Sequence, residues 1–127
     1  MRLWHQSLIP YLSRQHLLGQ HRECCALRGM GWGKKHSVVD YVFIYNPSYL
    51  VAYHNLVMDE MERRGYHPDI NWRNPQWRGN VLQEQKHWGI GDVPTIGNIY
   101  PEHDDQYLTD CLNNLIVKNA EIYINEN

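Results

Sequence analysis

Apolar residues recur every three or four positions in three separate stretches of this 127-residue chain. The stretches are residues 14–28, residues 47–64 and a third that begins between residues 101 and 105. This spacing places apolar side chains on one face of an α-helix. Ser13 and Asn46 precede the first two stretches as candidate N-caps, and Gly29 and Gly65 follow them as candidate C-terminal glycines. The sequence therefore predicts a mainly α fold with three principal helices and little or no sheet.

The segments between these helices differ in character. Residues 66–100 are rich in Pro, Gly, Asn and Trp, and a loop of this length is often functional. We expect Trp72, Trp77 and Trp88 to pin it to the core. The run "VVDYVFIY" at residues 38–45 predicts extended chain along the core, because one isolated strand is too marginal to form a sheet.

Length and composition indicate one domain over residues 1–127. No apolar run approaches the ~18 residues that a membrane-spanning helix needs. Polar residues at positions 5–7 interrupt the opening segment, so we expect no signal peptide and no membrane association. Cys24, Cys25 and Cys111 show no disulfide framework, which agrees with a cytoplasmic protein.

Charge is distributed unevenly along the chain, although the net charge is only −2. Residues 1–40 hold six basic and two acidic residues, a net charge of +4. Residues 41–127 hold six basic and twelve acidic residues, a net charge of −6. A phosphate-bearing partner would therefore meet the N-terminal third, although a short chain can also show such asymmetry by chance.

Polar and small side chains line one face of the first predicted helix: Gln15, His16, Gly19, Arg22, Glu23 and Ala26. Glycine inside a helix costs ~1 kcal/mol relative to alanine, so we expect a large group to approach Gly19. An amide, an imidazole, a cation and a carboxylate around that gap suit acid–base chemistry and anion binding. The pattern by itself favours an ordinary solvated helix face.

The glycine-rich run "GMGWGKK" at residues 29–35 follows this helix. Its backbone N–H groups and Lys34 or Lys35 are candidates for holding a phosphate of a DNA backbone. It is not a P-loop, because the glycine spacing is too short and no Ser or Thr follows the lysines. An ordinary flexible turn explains the run equally well.

The run "QHLLGQHRE" at residues 15–23 resembles the signature of the pyrimidine-dimer DNA glycosylase family, the phage-type endonuclease V family. In that signature a Gln-His-Leu run is followed by Arg-Glu, at a similar distance from the N-terminus. The resemblance continues through the second helix, from an aromatic entry near Tyr45 to the exit at Arg64, Gly65 and Tyr66. The runs "MRLWH" and "QHRECCALRGMGWGKKH" resemble a bacterial branch of the family.

The resemblance implies three main helices and a repair activity on damaged double-stranded DNA. In that family a free N-terminal α-amine attacks C1′ of the damaged nucleotide to form an imine, and a carboxylate then assists β-elimination of the strand. Met1 would carry the amine and Glu23 the carboxylate. An α-amine has a pKa of about 7.7–8.0 against about 10.4 for lysine, so more of it is neutral and nucleophilic at pH 7.

The resemblance and the basic character of the N-terminal third together give a set of expected DNA-binding residues. The set combines residues that match family positions in contact with kinked DNA and cations that lie near them in the sequence. Its members are Arg2, Gln15, His16, Arg22, Arg28, Lys34 and Lys35.

Two positions depart from the family pattern. The family exposes a small residue after its initiator methionine is removed, whereas Arg2 is too bulky for that trimming to be expected. The amine is therefore expected on Met1, one residue further out. The family also has an arginine three positions after the glutamate, where this chain has Ala26, and Arg28 is the candidate substitute.

Two other functions stay open at this point. A non-catalytic module on the same scaffold would bind damaged or kinked DNA through its basic residues without forming an imine. A protein unrelated to DNA would instead assemble a metal site from His5, His21 and His54. Neither an HExxH motif nor a Cys/His zinc pattern occurs, so we expect no metal. We also expect no cofactor and no obligate protein partner.

Overall fold

The computed structural model describes residues 2–34, 39–82 and 88–117 and is mainly helical. Within these ranges the α-helices are α1 (Arg14–Arg28), α2 (Ser48–Arg63) and α3 (Asp105–Val117). Shorter 3-10 helices cover Gln6–Tyr11, Asp40–Ile44 and Ile70–Arg73. No β-strand occurs in these ranges, so the predicted fold class is confirmed. None of the helices in the described part of the chain has the length and apolar character needed to cross a bilayer.

Side-chain caps fix where each α-helix begins. The Ser13 hydroxyl accepts a hydrogen bond from a first-turn N–H of α1 at 3.2 Å. Asp104 does the same for α3 at 2.9 Å, and Asn46, one residue before the N-cap Pro47, accepts from the first N–H of α2 at 2.9 Å. Each cap satisfies a backbone donor that a helix start leaves without an intrahelical partner. Gly65, at the end of α2, has a φ of 89°, the left-handed conformation that glycine adopts without strain.

Residues 40–44 correct one expectation. The sequence predicted extended chain here, but Asp40–Ile44 forms a 3-10 helix that follows Val39. Val39 and Val42 are both fully buried, and residues three apart lie on the same side of a 3-10 helix. A strand would have placed them on opposite faces, because side chains alternate along a strand. The short helix therefore buries both valines where extended chain could bury one.

The core lies between α1, α2 and the N-terminal segment. Both α1 and the 3-10 helix Gln6–Tyr11 pack on α2. The predicted apolar stripe of α2 is buried in full: Leu50, Tyr53, His54, Val57, Met58 and Met61. On α1 the most buried positions are Leu17, Gln20, Cys24, Leu27 and Arg28. Two of these side chains, Gln20 and Arg28, are polar, and both find partners inside the protein.

Hydrogen bonds tie α3 and the turn before it to the start of the chain. Nδ1 of His103 accepts from the N–H of Gln6 at 3.1 Å, and Nε2 lies 2.7 Å from the Tyr41 hydroxyl. Since Nδ1 accepts, the ring proton is on Nε2 and is donated to Tyr41. The hydroxyl of Tyr107 donates to the carbonyl of Leu3. The C-terminal part of the described chain thus holds the N-terminal segment in place.

The tryptophans of the long loop contact the core, as the sequence predicted for them. Trp88 is buried and packs edge-on against Trp32, with ring centroids 5.7 Å apart. Trp72 and Trp77 are half-buried, and their carbonyls accept hydrogen bonds from Arg28 at 2.8 and 3.0 Å. The loop is therefore pinned both by aromatic rings and by one buried cation.

Acid should destabilise this fold through His103. Burial lowers the pKa of His103 from 6.5 to about 3, so the ring stays neutral in the folded protein but gains a proton in the unfolded chain. Between about pH 6.5 and pH 4 the free energy of unfolding should therefore fall with pH, by up to about 1.4 kcal/mol per pH unit. Free energies of unfolding measured with urea at several pH values in this range should depend less steeply on pH for His103→Gln than for the wild type. The matched control is His67→Gln, whose ring is exposed, and equal slopes in all three proteins would contradict this account.

Candidate active site at the N-terminal segment

The backbone nitrogen of Arg2 donates a hydrogen bond to Oε2 of Glu23 at 3.1 Å. Glu23 lies in the second half of α1 and is half-buried. The first residues of the chain fold back along this helix, so the start of the chain meets the carboxylate. Met1, the expected source of the amine, lies outside the described residues.

Gln20 holds this arrangement together. Its Oε1 accepts from the N–H of Trp4 at 2.7 Å and from the Tyr53 hydroxyl at 2.8 Å. Its Nε2 donates to the carbonyl of Arg2 at 3.0 Å. The side chain is 2% exposed, so these bonds form away from water, where an unpaired polar group is costly. One amide thereby fixes the backbone on both sides of Leu3.

Gln20 was not among the site residues predicted from the sequence, although a signal was present. His16, Gln20 and Glu23 are spaced four and three residues apart, which places them in one column of the helix. His16 and Glu23 were both predicted site residues, whereas Gln20, which lies between them, was not. In the structure the ring of His16 lies edge-on to Trp4, with centroids 5.7 Å apart, and its Nδ1 is 2.8 Å from the Ser13 hydroxyl.

The Arg2 side chain lies between two aromatic rings. Its guanidinium carbon is 5.7 Å from the ring centre of Trp4 and 5.9 Å from that of Tyr107. Nη1 also lies 3.9 Å from Sγ of Cys111. Cation–π contacts of this kind stabilise a guanidinium against a ring face. They fix the direction in which the chain approaches Glu23.

Gln15 and Arg22 are exposed on the outer face of α1. Arg22 lies beside Gly19, and a Cβ at position 19 would stand 3.7 Å from its Nη2. That is ordinary van der Waals contact, so an alanine at position 19 would also fit beside the arginine side chain. Arg22 therefore presents its charge to solvent close to the polar column of α1.

Arg28, an expected DNA contact, is fully buried. Its guanidinium donates to three backbone carbonyls, those of Trp72, Asn74 and Trp77, at 2.8 to 3.0 Å. Burial lowers the pKa of Arg28 to about 10. A buried charge is costly unless it is hydrogen-bonded, and these carbonyls offset that cost. Arg28 is an internal tether in this structure, and its guanidinium has no surface to offer to DNA.

The backbone amides of the glycine run are used inside the protein. The N–H of Gly31 donates to the Ala26 carbonyl at 2.8 Å, and the N–H of Lys34 donates to the Gly31 carbonyl at 3.2 Å. A Cβ at position 31 would stand 2.8 Å from the Ala26 oxygen, so only glycine fits this turn. The run therefore ends α1, and these amides are engaged in that turn. Lys34 is exposed, and Lys35 lies outside the described residues.

The three histidines considered for a metal site do not meet. His5 stacks on His103, with ring centroids 5.6 Å apart. His21 and His54 contact each other between α1 and α2, with ring centroids 4.9 Å apart. The structure therefore separates His5 from the other two.

A family model described as pyrimidine dimer DNA glycosylase matches residues 1–74, more than half of the chain. The chain belongs to the pyrimidine dimer DNA glycosylase family. No curated protein and no solved structure matches it. The suspected relationship is thereby confirmed, and DNA repair by a glycosylase is the activity that the family indicates.

The family match covers the N-terminal segment, α1 and α2, including Gln20, Glu23 and Tyr53. It ends before α3, which supplies Tyr107 against Arg2 and Leu3. The region matched by the family model therefore packs against a helix that lies outside the matched residues.

Replacing Gln20 by leucine should detach the N-terminal segment. The change leaves the Trp4 N–H and the Arg2 carbonyl without their partner, whereas the Tyr53 hydroxyl keeps the Trp4 carbonyl at 2.6 Å. Each unsatisfied buried group costs about 1–3 kcal/mol. Urea unfolding should show a loss of at least about 2 kcal/mol, and hydrogen exchange at the Trp4 amide should accelerate. Gln15→Leu, at an exposed site on the same helix, is the control. Similar small losses in both variants would contradict the tether.

Proposed function

We propose that this protein is a DNA glycosylase with abasic-site lyase activity on damaged duplex DNA. The α-amine at the start of the chain attacks C1′ of the damaged nucleotide, the base leaves, and an imine forms. Glu23 then moves the protons needed for β-elimination of the strand. The amine and the carboxylate supply the nucleophile and the base, so this reaction calls on no cofactor. We place the protein in the cytoplasm, with DNA as its macromolecular partner.

The contact between the Arg2 nitrogen and Glu23 is the observation that supports this proposal most directly. A terminal amine needs a base within hydrogen-bond reach to pass protons to and from the reacting atoms. Here the chain folds back over 21 residues to meet a carboxylate at 3.1 Å. Buried bonds from Gln20 hold the backbone in that position. A non-catalytic DNA-binding module needs no such arrangement.

We assign the nucleophile to Met1. The nitrogen of Arg2 is an amide while Met1 is present, and an amide nitrogen is not a nucleophile. The peptide bond joins Met1 to this nitrogen, so the terminal amine belongs to the residue just before the one whose nitrogen contacts Glu23. Removal of Met1 would instead turn the nitrogen that now contacts Glu23 into the amine. Intact mass spectrometry identifies which residue begins the purified chain.

The exposed face of α1 is the proposed DNA surface. Gln15 and Arg22 are solvent-exposed on this face, and His16 and Arg2 border it. Lys34 adds an exposed cation just beyond the end of the helix. Side chains of this kind bind phosphate oxygens and fix the position of a protein on DNA without reading sequence. They would bring the damaged nucleotide to the start of the chain.

Borohydride trapping tests the imine directly. Duplex DNA with one abasic site, incubated with the protein and borohydride, should give a covalent protein–DNA adduct of one-to-one stoichiometry. Peptide mapping should place the DNA on the first residue of the chain. Acetylation of the N-terminus should abolish the adduct. No adduct, or an adduct on a lysine, would overturn the proposal and favour a binding module.

Glu23→Gln should separate binding from strand cleavage. The amide keeps the shape and can still accept from the Arg2 nitrogen, but it cannot take up a proton. General acid–base catalysis contributes about 10²–10⁴-fold, so β-elimination should fall at least about 100-fold. Affinity for abasic duplex should stay within a few-fold, measured by fluorescence anisotropy. Loss of binding in a folded variant would contradict the assigned role.

Arg22→Ala should weaken DNA binding at every sequence. Removing one phosphate contact reduces the magnitude of the slope of log K against log[salt] by about 1. Arg73→Ala is the control, because Asp59 and Glu62 already pair with that cation at 2.9 Å each. Anisotropy titrations at several salt concentrations measure both slopes. An unchanged slope for Arg22→Ala would remove this residue from the DNA surface.

A further inference from the structure

A second cluster of reactive side chains lies on another face of α1, away from Glu23. Cys25 Sγ is 3.7 Å from Nε2 of His21 and 3.9 Å from Nε2 of His54. Nδ1 of His21 is 2.8 Å from Nε2 of His54. One potential ligand atom from each residue lies within 4.8 Å of the others. Two helices thus bring two imidazoles and one thiol to a single point.

The geometry points to a transition-metal site formed by His21, Cys25 and His54. One sulfur and two imidazole nitrogens are borderline-soft ligands, which suit Zn²⁺ and its spectroscopic substitute Co²⁺. The cluster contains no carboxylate, so it does not suit Mg²⁺ or Ca²⁺, which prefer oxygen. This inference does not depend on the proposed glycosylase activity, because none of the three residues takes part in that reaction.

The distances fit a tetrahedral ion with little movement. Zinc binds sulfur at about 2.3 Å and imidazole nitrogen at about 2.0–2.1 Å, which makes the tetrahedron edges about 3.6 Å from S to N and about 3.4 Å from N to N. With Nδ1 of His21 as the ligand atom, the two S–N distances are 4.0 and 3.9 Å, slightly longer than that value. The two rings stand closer than an ion requires, at 2.8 Å, and must open by about half an ångström.

Arg28 sets the protons of this cluster. Its Nη1 donates to Nδ1 of His54 at 3.0 Å, so the proton of that ring is on Nε2 and is donated to His21. An ion bound at Nε2 takes the place of that proton, and the ring proton then moves to Nδ1. The Arg28–His54 contact must open, while Arg28 keeps its carbonyl partners on the Trp72 loop.

Binding also changes the thiol. The S–H bond of Cys25 breaks, its proton leaves to solvent, and the thiolate bonds to the ion. Three protein ligands leave one tetrahedral position for water or another small ligand, as in zinc sites that are not closed. His21 and Cys25 are half-exposed, so this position faces the solvent side of the cluster. The ion would join α1 to α2 and stabilise their packing.

The sequence held a signal for this site. His21 and Cys25 are four residues apart on α1, the spacing that places two side chains on one helix face. The metal candidates expected from the sequence were His5, His21 and His54, and Cys25 was not among them. His54 comes from α2, and only the packing of the two helices reveals it as the third ligand.

Cobalt binding to the full-length protein tests the site. Protein stripped with chelator and reduced should bind one Co²⁺ per chain and show the thiolate charge-transfer absorption and intense visible bands of a tetrahedral site. Zn²⁺ should displace the cobalt and raise the melting temperature. Cys25→Ser should lose the charge-transfer band. Cys24→Ser, which changes the neighbouring buried thiol, should keep it.

Thiol mapping of the unmodified chain keeps the test decisive if a variant fails to fold. Zn²⁺ should protect Cys25 from alkylation and leave the labelling of Cys24 and Cys111 unchanged. The inference is overturned if wild-type protein binds no cobalt at micromolar concentrations, if Cys25→Ser keeps the charge-transfer band, or if zinc fails to protect Cys25. Borohydride trapping is read separately, so its failure leaves this result intact.

Discussion

The carboxamide of Gln20 is the interaction on which the proposed active site depends. An extended N-terminal segment has backbone donors and acceptors that no helix or sheet satisfies. Gln20 binds an N–H on one side of Leu3 and a carbonyl on the other. Tyr53 of α2 adds its hydroxyl to the same amide oxygen. The segment is therefore held against α1 in one register, and that register places the Arg2 nitrogen at Glu23.

Buried polar groups organise the rest of the molecule in the same way. Arg28 ties the long loop to α1 through three carbonyls, and His103 ties the turn before α3 to the N-terminal segment. Each group is costly to bury alone, so each specifies the partner that must lie beside it. Polar side chains also meet on the second face of α1, where His21 and Cys25 contact His54. One helix thus serves the proposed repair site, the loop and the proposed metal site.

Much of the fold could be predicted because its signals are local. Apolar spacing, the Ser13 and Asn46 caps and Gly65 define α1 and α2 within one or two residues. The 3-10 helix at Asp40–Ile44 was missed, because a run of valine and aromatic residues also suits a strand and only burial of Val39 with Val42 decides between them. Tyr107 could not be assigned a role at the site, since its contact with Leu3 spans 104 residues of sequence.

The sequence by itself determined the helices, the basic N-terminal third and the family run that carries Gln15, His16, Arg22 and Glu23. Those features depend on neighbours a few residues apart, which a pattern can display. Tertiary structure decided which polar residues work inside the protein: Gln20 as the tether, Arg28 as a buried cation, and Cys25 as the companion of two histidines. The reason is physical, because their decisive partners, the backbone of Trp4, the carbonyls of the long loop and His54, lie far away in the chain and are brought close only by packing in space.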